Sequence, residues 1–158
     1  MDNLTREQRK KNMRRIRSEG TGPERRLVAT LRKRGFQFLT NDHSVEGVPD
    51  VTFKREKIAV FVDSDFWHFR PGHFVVPKSH KDYWLNKIKR NRARDRYVTE
   101  HLEMGGWVVV RLWVSEIEAD PEAAVSRIEA FLKRVVRSRA RTGRRPLRGT
   151  ERPVRGCR

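Results

Sequence analysis

An α/β fold, with a mixed central sheet flanked by helices, is predicted by three features of the chain. Apolar residues recur at helical spacing in separate segments, and short apolar runs of strand length stand between them. The order of these segments, αα-βββ-α-β-α, describes a mixed sheet with helices on its faces. The 158 residues, 36% of them hydrophobic, suit one domain with a tail.

Taken in order, residues 5–18 carry many bases and only Met13 and Ile16 as apolar anchors, so they read as a short helix or an arm. Thr21-Gly22-Pro23-Glu24 is a helix start: Thr21 as N-cap, Glu24 three residues on as in a capping box, Pro23 in the first turn. The helix runs through Leu27, Val28 and Leu31 to a stop at Gly35. Residues 36–40 alternate apolar and polar as a strand does. Gly47-Val48-Pro49-Asp50 leads into residues 51–53, and a turn at residues 54–57 separates these from the apolar strand 58–62. After a loop at 63–76, a long helix is expected over residues 81–103, with Trp84, Leu85, Ile88, Val98 and Leu102 on its apolar face. Gly105-Gly106 ends it, residues 107–113 form the last strand, and residues 121–136 an amphipathic helix through Val125, Ile128, Leu132 and Val135. Beyond it, Gly and Pro breaks among arginines leave no periodicity, and this stretch is expected to be disordered without a partner.

The chain holds 37 Lys and Arg against 20 Asp and Glu, a net charge of +17. Such a surplus points to a polyanionic partner, because phosphate neutralisation and counterion release drive association. Residues 134–158 contribute +9 of it and residues 1–133 keep +8, so the body is basic without its tail. Composition alone does not separate a nuclease from a ribosomal or nucleoid-binding protein. No apolar run approaches the roughly 20 residues of a membrane span, and the charged N-terminus lacks the apolar stretch of a signal peptide. The single cysteine, Cys157, excludes an intrachain disulfide and a Cys-rich zinc site. A cytoplasmic, nucleoid-associated protein with no membrane partner is expected.

The chemistry concentrates at Asp50 and in the run Val62-Asp63-Ser64-Asp65-Phe66-Trp67-His68. Segments 49–53 and 58–62, read as neighbouring strands, bring Asp50 and Asp63 together. Carboxylates so placed suit a hard cation such as Mg²⁺, and an imidazole beside them suits activation of water. An isolated Pro-Asp is ordinarily a solvated turn aspartate, and a lone histidine more often a core or surface residue than a base. The combination in a basic body favours catalysis on nucleic acid. Phe66, Trp67, Tyr83 and Trp84 have a core reading by default. Phe66-Trp67, however, lies in a loop among Asp, His, Arg and Gly, where aromatic rings stack on or wedge between bases.

The blocks KNMRRIRSEGTGPERRL, GVPDVTF, IAVFVDSDFWH, YWLNKIKRNRARDR and GGWVVVRLW stand in the order and spacing of the very-short-patch-repair (Vsr-type) DNA mismatch endonucleases, which the chain resembles over residues 5–117. The resemblance implies a restriction-endonuclease-like core of the PD-(D/E)xK type. It also implies a Mg²⁺-dependent nick in one strand of double-stranded DNA, 5′ of the thymine in a T·G mismatch, by attack of metal-activated water on phosphate. Asp50 matches the family's metal-binding aspartate, Val62 the position whose carbonyl also reaches the metal, and His68 the general base. Glu24 matches the supporting acid from the helix, and Asp63 falls where family members have Asp or His, as a further catalytic and metal-binding candidate. Phe66, Trp67 and Trp84 match aromatics that wedge into the duplex. Met13, Lys87 and Asn91 fall near the expected mismatched pair, with Arg14 counted among the DNA contacts. The implied layout is a basic arm over residues 1–20, an endonuclease core over 21–136 and an Arg-rich tail over 137–158, acting as a monomer with mismatch-repair proteins as partners.

The chain departs from the family where a structural zinc is held by Cys and His ligands after Phe-Trp-His, an aspartate of the long helix and a cysteine after the last strand. Asp95 and His73 remain, but Arg70 and Ser115 take the other two positions. Two ligands do not close a tetrahedral site; zinc is expected to be absent, with an Arg70–Asp95 salt bridge in its place. Ser64-Asp65 replaces the family's Gly-Cys, and Asp65 is either a third carboxylate beside the metal or a side chain facing solvent across the chain from Asp63. Two other readings stay open: a restriction- or defence-type nuclease with no mismatch requirement, and a catalytically silent basic DNA-binding protein.

Overall fold

The computed structural model describes residues 20–72 and 81–142. Helix α1 (Gly22–Lys33) begins as its capping box dictates. Thr21 is extended, and Glu24 reaches back to the N–H groups of Gly20 at 2.6 Å and Thr21 at 3.3 Å. Gly35, at φ +77°, ends the turn that follows. Three strands come next: β1 (Leu39–Thr40), β2 (Val51–Phe53) and β3 (Ile58–Asp63). Then follow α2 (Lys81–Met104), β4 (Val108–Trp113), α3 (Val114–Ala119) and α4 (Pro121–Thr142).

The sheet order is β1-β2-β3-β4, antiparallel through β3 and parallel between β3 and β4, so it is the mixed sheet expected. Alternation along β3 builds two cores. Ile58 and Val60 pack with Leu27, Leu31, Val110, Leu112, Val125 and Ile128 on the α1 and α4 side. Ala59 and Phe61 pack with Val98 and Leu102 on the α2 side. A strand covered on both faces reads as a continuous apolar run, as β3 does. Gly47, at φ +79°, is required by space as well as by backbone, since a Cβ there would lie 2.5 Å from Val98 Cγ1. Val48 follows at φ +51°, a costly conformation for a β-branched residue. This turn delivers Pro49-Asp50 to the start of β2.

Three expectations are corrected and one element is added. Within residues 36–40 only Leu39–Thr40 pair as a strand; Phe36 and Phe38 instead turn their rings onto Phe53 at 6.2 and 6.0 Å. Leu85 is 40% exposed, so the apolar face of α2 is narrower than its sequence suggests. The connector after β4 contains the short helix α3, whose Glu116 accepts the Trp113 N–H at 3.3 Å. Helix α4 continues past Val136 to Thr142, where Arg139 donates to the carbonyls of Arg55 and Glu56 in the β2–β3 turn. The N-terminal segment expected to be a short helix or an arm, with Met13 and Arg14, and most of the tail lie outside the described residues. Among those described, no helix is long and apolar enough to cross a membrane.

Candidate active site

Antiparallel pairing of β2 with β3 sets Val51 opposite Val60, which carries Asp50 to the end of β3. There its Oδ2 accepts the Val62 N–H at 2.7 Å. Burial is the main influence on this carboxyl, and the charges of Glu24 and Asp63 add to it. Against the opposing Val62 N–H, they push its pKa up to about 7. Glu24, held by its capping bonds and by the Thr21 hydroxyl at 2.6 Å, lines the same cleft as Asp50. One residue thus caps α1 and faces the site. The cleft, about 240 Å³, is also lined by Asp63, His68, Asp95 and Arg111.

These last four form a single network. His68 Nδ1 stands 2.5 Å from Asp95 Oδ2 and 3.7 Å from Asp63 Oδ1. Arg111 Nη1 donates to both oxygens of the buried Asp63, at 2.8 and 2.9 Å, while Nη2 donates to the Asp95 carbonyl at 3.2 Å. Burial pulls the His68 imidazole down, but the bond to Asp95 and the charges of Asp63 and Asp95 outweigh it, so its pKa lies above the ordinary value. A carboxylate on Nδ1 fixes the tautomer whose Nε2 is free to accept a proton. Arg111 was missed from sequence, and Asp95 was assigned to another site. The available signal was a lone arginine in the otherwise apolar β4, a position that needs a buried anion.

Asp63 already has its cation in Arg111, whereas Asp50 meets no lysine or arginine among the described residues. A half-buried carboxylate beside two others, with its proton held to about pH 7, fits a divalent cation that would relieve the crowded charge. Among the described residues no group of three or more His, Cys, Asp or Glu could hold a metal ion by itself. A cation at Asp50 would therefore draw on backbone oxygen, water and phosphate, as Mg²⁺ commonly does.

The expected wedge residues come together. Phe66 lies 4.9 Å from Trp67 and 5.6 Å from Trp84 between ring centroids, and Trp67 lies 5.5 Å from Trp84. Lys87 Nζ sits 4.4 Å over the Trp67 ring, and Asn91 donates to the Trp67 carbonyl at 3.2 Å. Met13, Arg14 and His73 lie outside the described residues.

Two further expectations are overturned. Asp65 does not join the carboxylates of the cleft; it accepts the Ser115 N–H at 3.0 Å, the Ser115 hydroxyl at 2.5 Å and Arg70 at 3.1 Å. Arg70 pairs with Asp65, Ser115 and Glu116 rather than with Asp95, which is spent on His68 and Arg111. The cause is local. Phe69, at φ +56°, folds the loop so that the Arg70 N–H meets the Asp65 carbonyl at 3.0 Å. This cluster ties the loop bearing Phe66, Trp67 and His68 to the β4–α3 junction. Burial pushes the Asp65 carboxyl up, but the bonds from Ser115 and Arg70 outweigh it and hold the pKa below the ordinary value. Its contribution is therefore present above the ordinary carboxylate range and lost as pH falls below it. Asp65→Ala should cost about 1–3 kcal/mol at pH 7 by denaturant unfolding, and the gap should narrow as pH falls below the ordinary carboxylate range. Equal midpoints at pH 7 would show that the cluster does not hold the loop.

A family model described as DNA mismatch endonuclease Vsr matches residues 1–73. The chain is 41% identical over 141 residues to the type II nicking enzyme V.HpaIIP of Haemophilus parainfluenzae, covering 87% of this chain and 100% of that one. It is 38% identical over 135 residues to the type II nicking enzyme V.NmeDIP of Neisseria meningitidis serogroup C, covering 84% and 91%. To the DNA mismatch endonuclease Vsr of Escherichia coli K12 it is 33% identical over 129 residues, covering 78% and 83%.

Proposed function

The chain belongs to the Vsr family of DNA endonucleases, and from that premise we propose that it nicks one strand of a duplex 5′ of the thymine in a T·G mismatch, with Mg²⁺ at Asp50 and His68 as general base. The observation that carries this reading is the meeting, in one cleft, of a carboxylate with no cationic partner among the described residues and a histidine oriented by Asp95. Asp50, the Val62 carbonyl and, on release from Arg111, Asp63 are the groups that would hold the cation, with Glu24 supporting Asp50 through its charge. When bound, the cation would offset charge developing on the phosphate and acidify water. His68 Nε2 takes the proton of the attacking water, and Asp95 stabilises the imidazolium that results. One such cleft suffices for one cut, which accords with a monomer and with the nicking activity for which the relatives are named.

Phe66 and Trp67 immediately precede His68, so wedge and base share one loop. A wobble pair costs less to unstack than a matched pair, and aromatic insertion turns that difference into selectivity. Lys87 and Asn91, both in contact with Trp67, stand at this edge of the cleft as further DNA contacts.

The test is a pair of labelled duplexes differing by one T·G mismatch, incubated with Mg²⁺ and resolved strand by strand. A nick confined to the thymine strand of the mismatched duplex is expected. Trp67→Ala should reduce the preference for mismatched over matched duplex by about 5- to 100-fold, the worth of one stacked ring. Equal cutting of both duplexes by the unaltered protein would replace this reading with a nuclease that has no mismatch requirement.

A further inference from the structure

We propose that the exposed face of α4 formed by Lys133, Arg134, Arg137 and Arg141 is a second, sequence-independent binding surface for the backbone of duplex DNA, separate from the cleavage cleft. These side chains, with Ala130 and Ser138, line an open groove of about 640 Å³. Lys133, Arg137 and Arg141 recur at i, i+4 and i+8, about 6 Å apart along the axis, which lays a row of cations along some 12 Å of helix.

Among the described residues, Lys133 alone of these four cations meets a carboxylate. Residues 133–141 hold Lys133, Arg134, Arg137, Arg139 and Arg141 and no acid. The two acids of α4, Glu122 and Glu129, both pair with Arg34, and Glu129 also holds Lys133 at 2.6 Å. Arg134 stacks 4.9 Å from the Phe131 ring, and among the described residues neither Arg137 nor Arg141 meets a carboxylate. Cations in a last helical turn also complement the helix dipole. That accounts for Arg139 and Arg141 but not for Lys133 and Arg134 two turns earlier on the same side. The sequence beyond Thr142 adds six arginines against one acid, so the basic character continues.

Position makes the surface distinct. Arg139 fixes this end of α4 to the β2–β3 turn, whereas Asp50 and Asp63 stand at the other ends of those strands. The six residues of β3 separate that turn from Asp63 by about 20 Å. A row of cations on a groove that shares no lining residue with the cleft suits a phosphate backbone bound without reading bases, and it would keep the enzyme on DNA while the cleft engages and releases a target.

The experiment is equilibrium binding of the full chain to a matched duplex across 50–300 mM KCl, comparing the unaltered protein with a Lys133→Gln/Arg137→Gln/Arg141→Gln variant. Each phosphate that the protein no longer neutralises should reduce the slope of log K against log[salt] by about 0.9. The triple variant should therefore be shallower by about 2–3, and an Arg137→Gln/Arg141→Gln variant by about two-thirds of that. Nicking of a mismatched duplex under single-turnover, saturating conditions should be unchanged. An unaltered slope would overturn the proposal and leave this face merely solvated. A slope that changes on single-stranded RNA but not on duplex DNA would overturn it in favour of another partner. Loss of single-turnover nicking in a variant with an unchanged melting temperature would overturn the separation and place these cations in the cleavage complex itself.

Discussion

Asp50→Asn is expected to abolish nicking and to make the protein more stable. The second effect follows from the electrostatics of the cleft. Burial together with Glu24 and Asp63 raises the Asp50 pKa from the ordinary 3.8 to about 7, so the folded protein holds this proton more tightly than the unfolded chain does. Stability therefore falls as pH rises from about 4 to 7, and the full cost is present above that. The rise corresponds to roughly 4 kcal/mol at most, and about 2–3 kcal/mol after allowing for the exposed part of the carboxyl. Asparagine keeps an oxygen for the Val62 N–H, which Asp50 Oδ2 accepts at 2.7 Å, and loses the charge.

In EDTA at pH 8, the variant should melt on the order of 5–10 °C above the unaltered protein, with the gap vanishing below about pH 4. Mg²⁺ should narrow the gap from the other side, because a cation bound to the native carboxylate stabilises that state by mass action and loses its charged anchor at residue 50 in the variant. The pairing of outcomes separates this site from an ordinary structural aspartate, whose removal lowers stability and leaves activity in proportion to the folded fraction. A variant that melts lower at pH 8 and still nicks would remove Asp50 from the chemistry altogether.

What the sequence revealed of this site followed the range of the interactions involved. The capping box at Thr21 and Glu24 is a local device, and it stands as read. Asp50 and Asp63 are brought together by a hairpin, whose short turn leaves little freedom in register, so their proximity was also legible. Arg111 and Asp95 were not, because their partners are set by the parallel β3–β4 pairing and by the packing of α2. These are long-range contacts, and no periodicity encodes them. Arg70 shows a third kind of failure. Its partner was sought by position in a family pattern, whereas the positive φ at Phe69 turns the loop back on itself and hands Arg70 to Asp65. Six residues of α3 are too few for a helical period to register, and the extension of α4 to Thr142 rests on contacts of Arg139 with a distant turn.

Asp95→Asn tests the half of the site that long-range packing supplies. The Asp95 carboxylate meets His68 Nδ1 at 2.5 Å and fixes which ring nitrogen carries the proton. An amide in its place can present N–H to Nδ1, which would move the proton to Nε2 and leave no base toward the water. Removing a general base costs about 10²- to 10⁴-fold in rate, so His68→Ala should lose that much in kcat with KM nearly constant. Asp95→Asn should approach the same loss, and the double variant should be little worse than either, since the two side chains act as one unit.

The pH profile carries the decisive sign. Asp95 and Asp63 together raise the His68 pKa, so in the unaltered protein the neutral imidazole accumulates only above the ordinary histidine value. Without the Asp95 charge the pKa falls, and the residual activity of Asp95→Asn should rise at lower pH than that of the unaltered protein. Arg111 braces both carboxylates, at 2.8 Å from Asp63 and 3.6 Å from Asp95. Loss of Asp95 therefore leaves Asp63 still neutralised, and the fold should survive. A correctly folded variant with an unshifted profile, or double-variant losses that simply multiply, would reduce Asp95 to packing and leave His68 without an orienting partner.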